Sequence, residues 1–291
     1  MSRCRFVRDH QADYPVARLC VLAGLSRSSF YAWRSRPPSA RQVANERLLE
    51  QMIEIYEASR GTYGRVRMLG QLARRGFPAN HKRVARLMRI HGIRGLGGPG
   101  KRSKRPVARH SAPAPDLLRR DFSATQPNQR WVADLTEFAT RKGKLHLAGI
   151  IDLYAGRVVG WSISDRRTAE LAVDALVMAI RRRRPDAGVI HHADHGSQYT
   201  SLAFCDRAYE EDVRLSFGRI GSPADNAAME AFWSTLKREL FHFYGHRVWP
   251  DRATLRAALF DYIEIFYNRE RHQARLDHHT PSEHEASEQA A

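Results

Sequence analysis

Three β-rich segments that begin soon after residue 120 constrain this chain most. They read RWVADLTEFAT from Arg130, KLHLAGIIDLY from Lys144 and RVVGWSIS from Arg157, with Gly-containing turns between them. This pattern predicts antiparallel strands. A helix is expected next, from Thr168 to Arg183, with Leu171, Ala172, Ala175, Leu176 and Ala179 facing inward. GVIHHAD reads as a short buried strand that ends at an acid. A helix over Leu202–Asp212, a strand at VRLSFG, a helix over Asn226–Leu240 and a final helix over Arg252–Asn268 complete the series. Three strands followed by alternating helix and strand predict an α/β domain around a mixed five-stranded sheet with flanking helices.

Charge divides the chain at about the same place. Residues 1–120 carry 26 Lys and Arg against 7 Asp and Glu, a net +19, whereas residues 121–291 carry 22 against 24, a net −2. A segment so rich in arginine is built to meet a polyanion, because basic side chains release counterions from nucleic acid and guanidinium forks match phosphates. The 291 residues suffice for about two domains of roughly 100–200 residues each. No apolar run approaches the roughly 18 residues of a membrane span, and Met1–Cys20 has no signal-peptide core. The expected location is the cytoplasm, at the nucleoid. Cys4, Cys20 and Cys205 form no CxxC pair and read as reduced thiols.

The basic part reads as helical. Val16, Leu19, Cys20 and Leu22 suggest one apolar face; Gly24 makes a turn, Ser26 caps, and a second helix to Arg34 packs Phe30, Tyr31 and Trp33. This is a helix-turn-helix pattern, and Arg27 and Ser28 at the start of its second helix are candidate DNA contacts. A further helix carries Leu48, Leu49, Met52, Ile53 and Tyr56, and another runs from about Val66 to Arg74. Asn80 caps HKRVARLMRIHG, in which Val84, Leu87, Met88 and His91 face inward. Its Lys82, Arg83 and Arg86 remain available to DNA. Residues 95–115 are rich in Gly, Pro and basic residues, a composition that cannot bury a core. The expected organisation is a helical DNA-binding region over 1–94, a linker over 95–120 and a catalytic domain over 121–291.

Three acids occupy informative places. Asp134 lies inside the first strand, Asp194 ends the fourth, and Glu230 sits on a helix among Ala227, Ala231 and Trp233. An ionised acid in an apolar setting is costly unless paired or bound to a metal. Three converging carboxylates suit a hard cation such as Mg²⁺, and two such ions serve in-line phosphoryl displacement.

The segments WVADLTEF, HHADHGSQYTS, SPADNAAMEAFWSTLKREL and FYNRERHQARL resemble the second-reading-frame product, OrfB, of the third insertion-sequence family of bacterial transposases. YPVARLCVLAGLSRSSFYAWR and GTYGRVRMLGQLARRG in the basic part are similar to the same family, so the resemblance covers nearly the whole chain. Its most specific element is the 35 residues between Asp194 and Glu230, inside matching flanks. The resemblance implies an RNase H-like core of the retroviral-integrase superfamily. It assigns Asp134, Asp194 and Glu230 to a DDE triad that holds Mg²⁺ or Mn²⁺, as two ions. Gly196, Gln198 and Tyr199 match the segment after the second acid, and Asp225 and Asn226 the segment before the Glu helix. Lys237, two helical turns after Glu230 and on the same face, suits a cation near the reacting phosphate.

The implied reaction is DNA cleavage and strand transfer on double-stranded DNA, both element ends and target. The implied partners are further copies of the chain in a synaptic complex and an upstream-frame helix-turn-helix protein as fusion partner. Ala155, Gly156, Ala193, Gln273 and Asp277 depart from the family pattern without touching the triad. His191, His192, Asp194 and His195 form a cluster that suggests zinc, but neighbours on a strand face opposite sides and cannot all ligate one ion. His192 and His195 are instead expected near the site or the DNA, and His278 and His279 in a loose, solvated terminus. The competing functions are a DNA-binding regulator without catalysis and an RNase H-like nuclease that does not join ends.

Overall fold

The computed structural model describes residues 3–97, 115–219 and 223–289. Contacts divide the chain into two compact units, 1–51 and 52–291. Composition instead places its boundary at the 95–120 segment, of which 98–114 lies outside the described residues.

In the first unit, α1 (Arg3–His10), α2 (Val16–Leu22) and α3 (Arg27–Arg34) gather around Val7, Leu19, Cys20 and Phe30. Helix α1 was not among the expected elements. Gly24, at φ +58, makes the turn, and Ser26 caps α3 by accepting from the Ser29 N–H at 3.0 Å. Val16, Leu19, Cys20 and Ala23 form the i, i+3, i+4, i+7 stripe. Leu22 falls outside it and is 72% exposed, contrary to expectation. Tyr31 is likewise exposed, while Phe30 and Trp33 stack.

Helix α4 (Ala40–Ala58) buries Met52 and Ile55 in the second unit; Ile53, expected inside, is exposed. Helices α5 (Arg65–Arg74) and α6 (His81–Ile90) follow, the latter capped by Asn80, which accepts from the Lys82 N–H at 2.8 Å. Val84, Leu87 and Met88 point inward, but His91 is exposed because it is the residue that ends the helix. Lys82 and Arg86 are exposed and Arg83 is half-buried.

The sheet is built from β1 (Arg130–Thr140), β2 (Gly143–Asp152) and β3 (Arg157–Ser164), an antiparallel meander, then α7 (Ala169–Arg183), β4 (Ile190–Ala193), α8 (Leu202–Glu210) and β5 (Arg214–Phe217). Its order is β3-β2-β1-β4-β5, with β4 parallel to β1 and β5 parallel to β4. This is the expected mixed five-stranded sheet. After α9 (Ala227–Tyr244), a two-residue strand, β6 (Val248–Trp249), adds a sixth member by pairing with the far end of β1. Alternation along β1 sends Trp131 and Ala133 into the core beneath α7 and α8, and Val132 into the core beneath α9.

One flank of β1 has a gap. Strand β4 pairs with it only as far as Val132, and β6 takes up pairing at Ala139. Between these points the backbone of β1 meets side chains instead of a neighbouring strand.

The C-terminal part runs further than the sequence suggests. Helix α10 (Arg252–Phe260) continues as a wider π-helical segment, Asp261–Glu270, and α11 (Pro281–Gln289) follows. Buried Glu285 on α11 accepts from Arg157 at 2.6 Å and Arg183 at 2.8 Å. Asn268 exchanges two hydrogen bonds with the backbone of Val158 in β3. The region of His278 and His279 is therefore not loose: the Gln273 N–H donates to the His279 carbonyl at 2.9 Å, and both histidines are half-buried.

Candidate active site

Asp134 stands in the gap on β1, directly across the ladder from Gly149 on β2. Its Oδ1 accepts from the N–H of Leu135 at 2.7 Å, and its Oδ2 from the indole N–H of Trp233 at 3.0 Å. Gly149 makes this possible, since a Cβ there would lie 2.7 Å from the Trp233 ring. Burial, and then the negative charge of Asp194, raise the Asp134 carboxyl to about 7. The hydrogen bonds from Leu135 and Trp233 act in the opposite direction.

Asp194 follows the last residue of β4. Because β4 is in register with β1 through Val132 and His192, two further residues along each strand lead to Asp134 and Asp194. The Asp194 side chain is exposed, and its Oδ1 accepts from the N–H of Gly196 at 3.0 Å. A side chain at Gly196 would crowd that oxygen, at 2.9 Å.

Glu230 is half-buried in the first turn of α9, three residues before Trp233. It therefore shares the helix face whose indole reaches Asp134. Among the described residues no three His, Cys, Asp or Glu side chains stand close enough to enclose an ion. The structure thus brings Asp134 and Asp194 within each other's field and carries Glu230 on the helix above them, without closing the three into one cluster.

Two brackets fix the start of α9. The Asn226 amide donates to the carbonyl of Ala133 at 2.9 Å, at the residue before Asp134. His192, buried and kept neutral by that burial, lies 2.9 Å from the Asp225 carbonyl through Nε2 and 2.8 Å from Ser216 Oγ through Nδ1. A carbonyl only accepts, so Nε2 carries the proton and Nδ1 accepts from the Ser216 hydroxyl. The Asp225 carboxylate is itself buried and accepts from Arg120 Nε at 2.6 Å and the Arg219 N–H at 2.9 Å. His192 and Asp225 thus serve as supports behind the carboxylates.

The remaining candidates divide by location. The Tyr199 hydroxyl is buried, has no hydrogen-bond partner among the described residues, and is pushed well up by burial and by the charges of Asp134 and Asp194. The Gln198 amide donates to the Arg167 carbonyl at 3.3 Å. Lys237 is exposed, with Nζ 5.3 Å from the Phe138 ring centre, and it feels the charges of Glu137 and Asp134. Arg27, Ser28, Lys82, Arg83 and Arg86 lie on α3 and α6, among the helices that precede the sheet.

His191 is a core residue packed against Tyr199 and Phe204 and held down to about 3 by burial. His195 rests against Phe217. No zinc site forms from this cluster. Sequence reading missed Arg167, an exposed cation just before α7 whose charge reaches Asp134 and Tyr199. Only the fold places it there, and no motif marks it.

Comparison with known proteins decides the family. The integrase core domain matches residues 124–223, a second integrase core domain matches 230–288, and an HTH-like domain matches 44–98. The chain is 37% identical over 269 residues to the transposase InsF for insertion sequence IS3A of Escherichia coli K12, spanning 91% of each protein. It belongs to the IS3 family of insertion-sequence transposases. A 31 kDa protein of insertion element IS600 from Shigella sonnei is 40% identical over 267 residues, covering 91% of this chain and 96% of that one. Among solved structures, the catalytic core domain of the HTLV-2 integrase in complex with magnesium is similar, with 18% identity and a TM-score of 0.43, over 55% of this chain and 98% of that one. The HTH-like match takes in most of α4 with α5 and α6, and not the α2–α3 pair in which the sequence pattern was read. No helix among the described residues is long and apolar enough to cross a membrane.

Proposed function

We propose that this transposase cuts and joins DNA at Asp134, Asp194 and Glu230, which hold Mg²⁺ or Mn²⁺, as two ions in the working complex. The Asp134–Asp194 pair carries the reading. Two carboxylates oppose each other's charge at a gap in the sheet, and one is held at about 7, a combination that a hard cation relieves. Glu230 supplies the third carboxylate from α9. When bound, such ions neutralise the attacked phosphate and activate the attacking oxygen.

The chain's own groups do the positioning. Leu135 and Trp233 fix the two oxygens of Asp134, and Gly196 fixes one of Asp194. Asn226 and His192 hold the start of α9 against the sheet. Gln198 and Tyr199 are buried behind the segment that follows Asp194 and hold it in place, and Lys237 and Arg167 offer positive charge to the DNA backbone. In the first step a water oxygen attacks a phosphodiester at the element's end, and the bond from phosphorus to the 3′ oxygen breaks, freeing a 3′-OH. In the second, that hydroxyl attacks a target phosphodiester, forms a new ester and displaces the target's own 3′ oxygen.

Residues 1–94 hold double-stranded DNA in this reading, with Arg27, Ser28, Lys82, Arg83 and Arg86 toward phosphates; residues 95–120 link and 121–291 catalyse. Several copies assemble on element ends and target, an upstream-frame helix-turn-helix protein serves as fusion partner, and the work is done at the nucleoid.

A joining assay with labelled donor ends and a target plasmid, in Mg²⁺ or Mn²⁺, tests this. The wild-type chain should nick and join, and Glu230→Gln should do neither while binding DNA equally well. Binding without nicking would favour a regulator, and nicking without joining a nuclease. Joining by Glu230→Gln at the wild-type rate would overturn the assignment of the site.

A further inference from the structure

A second concentration of charge lies away from the carboxylates. Helix α9 turns Glu230 and Lys237 to one side, but Thr235, Arg238 and Glu239 line a cavity of about 820 Å³ that they share with α5, α6 and the segment after it. Arg65, Arg67, Arg89, Arg94, Arg238 and Arg271 all border this space. Its one carboxylate among the described lining residues, Glu239, is buried and already engaged: it accepts from Arg271 at 2.9 Å and from the Tyr262 hydroxyl at 2.8 Å. Arg65, Arg89, Arg94 and Arg238 therefore border the cavity with no ion pair to its described walls, and Arg67 shares the field of the one carboxylate that Arg271 already engages.

The guanidinium of Arg238 makes the deficit concrete. Its Nε and Nη1 are buried and have no hydrogen-bond partner among the described residues. Leaving charged donors buried and unpaired is costly, so such a group points to an absent acceptor. Arg67 is half-buried beside the same cavity, its guanidinium disfavoured by burial and then by the charge of Arg271, with the charge of Glu239 acting in the opposite direction. Arg238 also borders a smaller pocket that contains Lys237, Glu137 and Phe138, so it joins that pocket on the Lys237 side of α9 to the cavity.

We propose that this arginine-lined cavity holds backbone phosphates of the DNA that reaches the carboxylates, Arg238 being its central contact. The cavity lies where the HTH-like segment meets the catalytic helix, so a strand seated in it is gripped by both at once. The proposal rests on the reading of the chain as a DNA-processing enzyme, but not on which carboxylates catalyse. Planar guanidinium forks favour phosphate oxygens, and an open cavity bordered by exposed Arg65, Arg89 and Arg94 admits a continuous polymer.

The test is binding of the full chain to a short fluorescein-labelled duplex, in metal-free buffer, across a salt series. Arg238→Gln and Arg94→Gln should each reduce the log–log salt slope by about 0.9, and the double variant by about twice that. Arg207→Gln, which removes a half-buried cation paired with Glu210 on α8, should leave the slope unchanged. Thermal melting checks that each variant is folded, and Arg94→Gln carries the test if Arg238→Gln is not. The readout is binding in metal-free buffer and needs no catalysis, so a failed catalytic assignment leaves this result readable. Unchanged slopes in folded Arg238→Gln and Arg94→Gln, or an equal loss in Arg207→Gln, would overturn the proposal. Inorganic phosphate or pyrophosphate that binds the wild-type chain and loses affinity in Arg238→Gln, with no change in DNA slope, would instead assign the cavity to a free anion and overturn it as well.

Discussion

Asn226 donates its side-chain amide to the carbonyl of Ala133, so the turn that opens α9 is bonded to the backbone residue immediately before Asp134. The helix that carries Glu230 and the strand that carries Asp134 are thereby fixed to each other at one point. Asn226→Asp keeps the size but replaces the donating amide with a second acceptor facing a carbonyl. Stability should fall by about 1–3 kcal/mol, the cost of a buried group left unsatisfied. Strand transfer should fall by up to about a hundredfold, the scale of a misplacement of roughly 1 Å. Urea unfolding and single-turnover joining measure the two; a variant with wild-type joining would remove Asn226 from the positioning of the site.

Asp134 makes metal-free stability depend on pH. The carboxyl titrates at about 7 in the folded chain against 3.8 as its ordinary value. The folded state therefore holds the proton more tightly, and the resulting stabilisation is complete below the ordinary value and lost as pH rises through about 7. Asp134→Asn does not titrate. Without metal it should melt above the wild-type chain at about pH 8, the gap closing toward about pH 4. Mg²⁺ should then raise the wild-type midpoint at the higher pH and leave Asp134→Asn unmoved. A gap of the same size at both pH values would contradict the charge opposition at this site.

Gly149 and Trp233 compete for one space. A methyl group at Gly149 would meet the indole at 2.7 Å, so Gly149→Ala should push Trp233 away from Asp134 and cost about 1–3 kcal/mol, the scale of overpacking. Adding Trp233→Phe should recover much of the stability but not the joining rate, because the indole N–H that fixes Asp134 stays lost. A double-mutant cycle with both readouts separates the effects. Additive stability changes would show that the two side chains do not interfere.

Much of this was legible in the chain. The meander, α7 and the end of β4 at an acid follow from alternation and helical spacing, because each element buries one face. The carboxylates stood out as acids in apolar company. What could not be read depends on contacts distant in sequence. Arg167 sits in an exposed loop with no periodicity around it, and only the packing of α7 on β3 brings it toward Asp134. Strand β6 is two residues long, too short for any pattern. Helix α11 is not legible because PSEHEASEQ has almost no apolar face; the ion pairs of Glu285 and the His284 ring against Tyr154 hold it.

That ion pair gives a further expectation. Glu285 joins Arg157 of β3 and Arg183 of α7. Glu285→Gln should cost roughly 2 kcal/mol, below the ~3–5 kcal/mol of a fully buried pair because the Arg157 side chain is 34% exposed. Denaturant midpoints should report it, with DNA affinity retained. A shift indistinguishable from zero would mean that Asn268 and the adjoining core hold the C-terminal segment by themselves.

The gap along β1 bears on where this protein breathes. In most sheets the amides of the central strand exchange with solvent most slowly, because strands cover both flanks. Here the amide of Leu135 is shielded on one flank by the carboxylate of Asp134 and not by another backbone. The local opening of the middle of the sheet is thus set by the same charge that is proposed to serve the reaction. The ladder is interrupted where the chemistry is proposed to lie, and the proposed reactive carboxylate itself guards the opening.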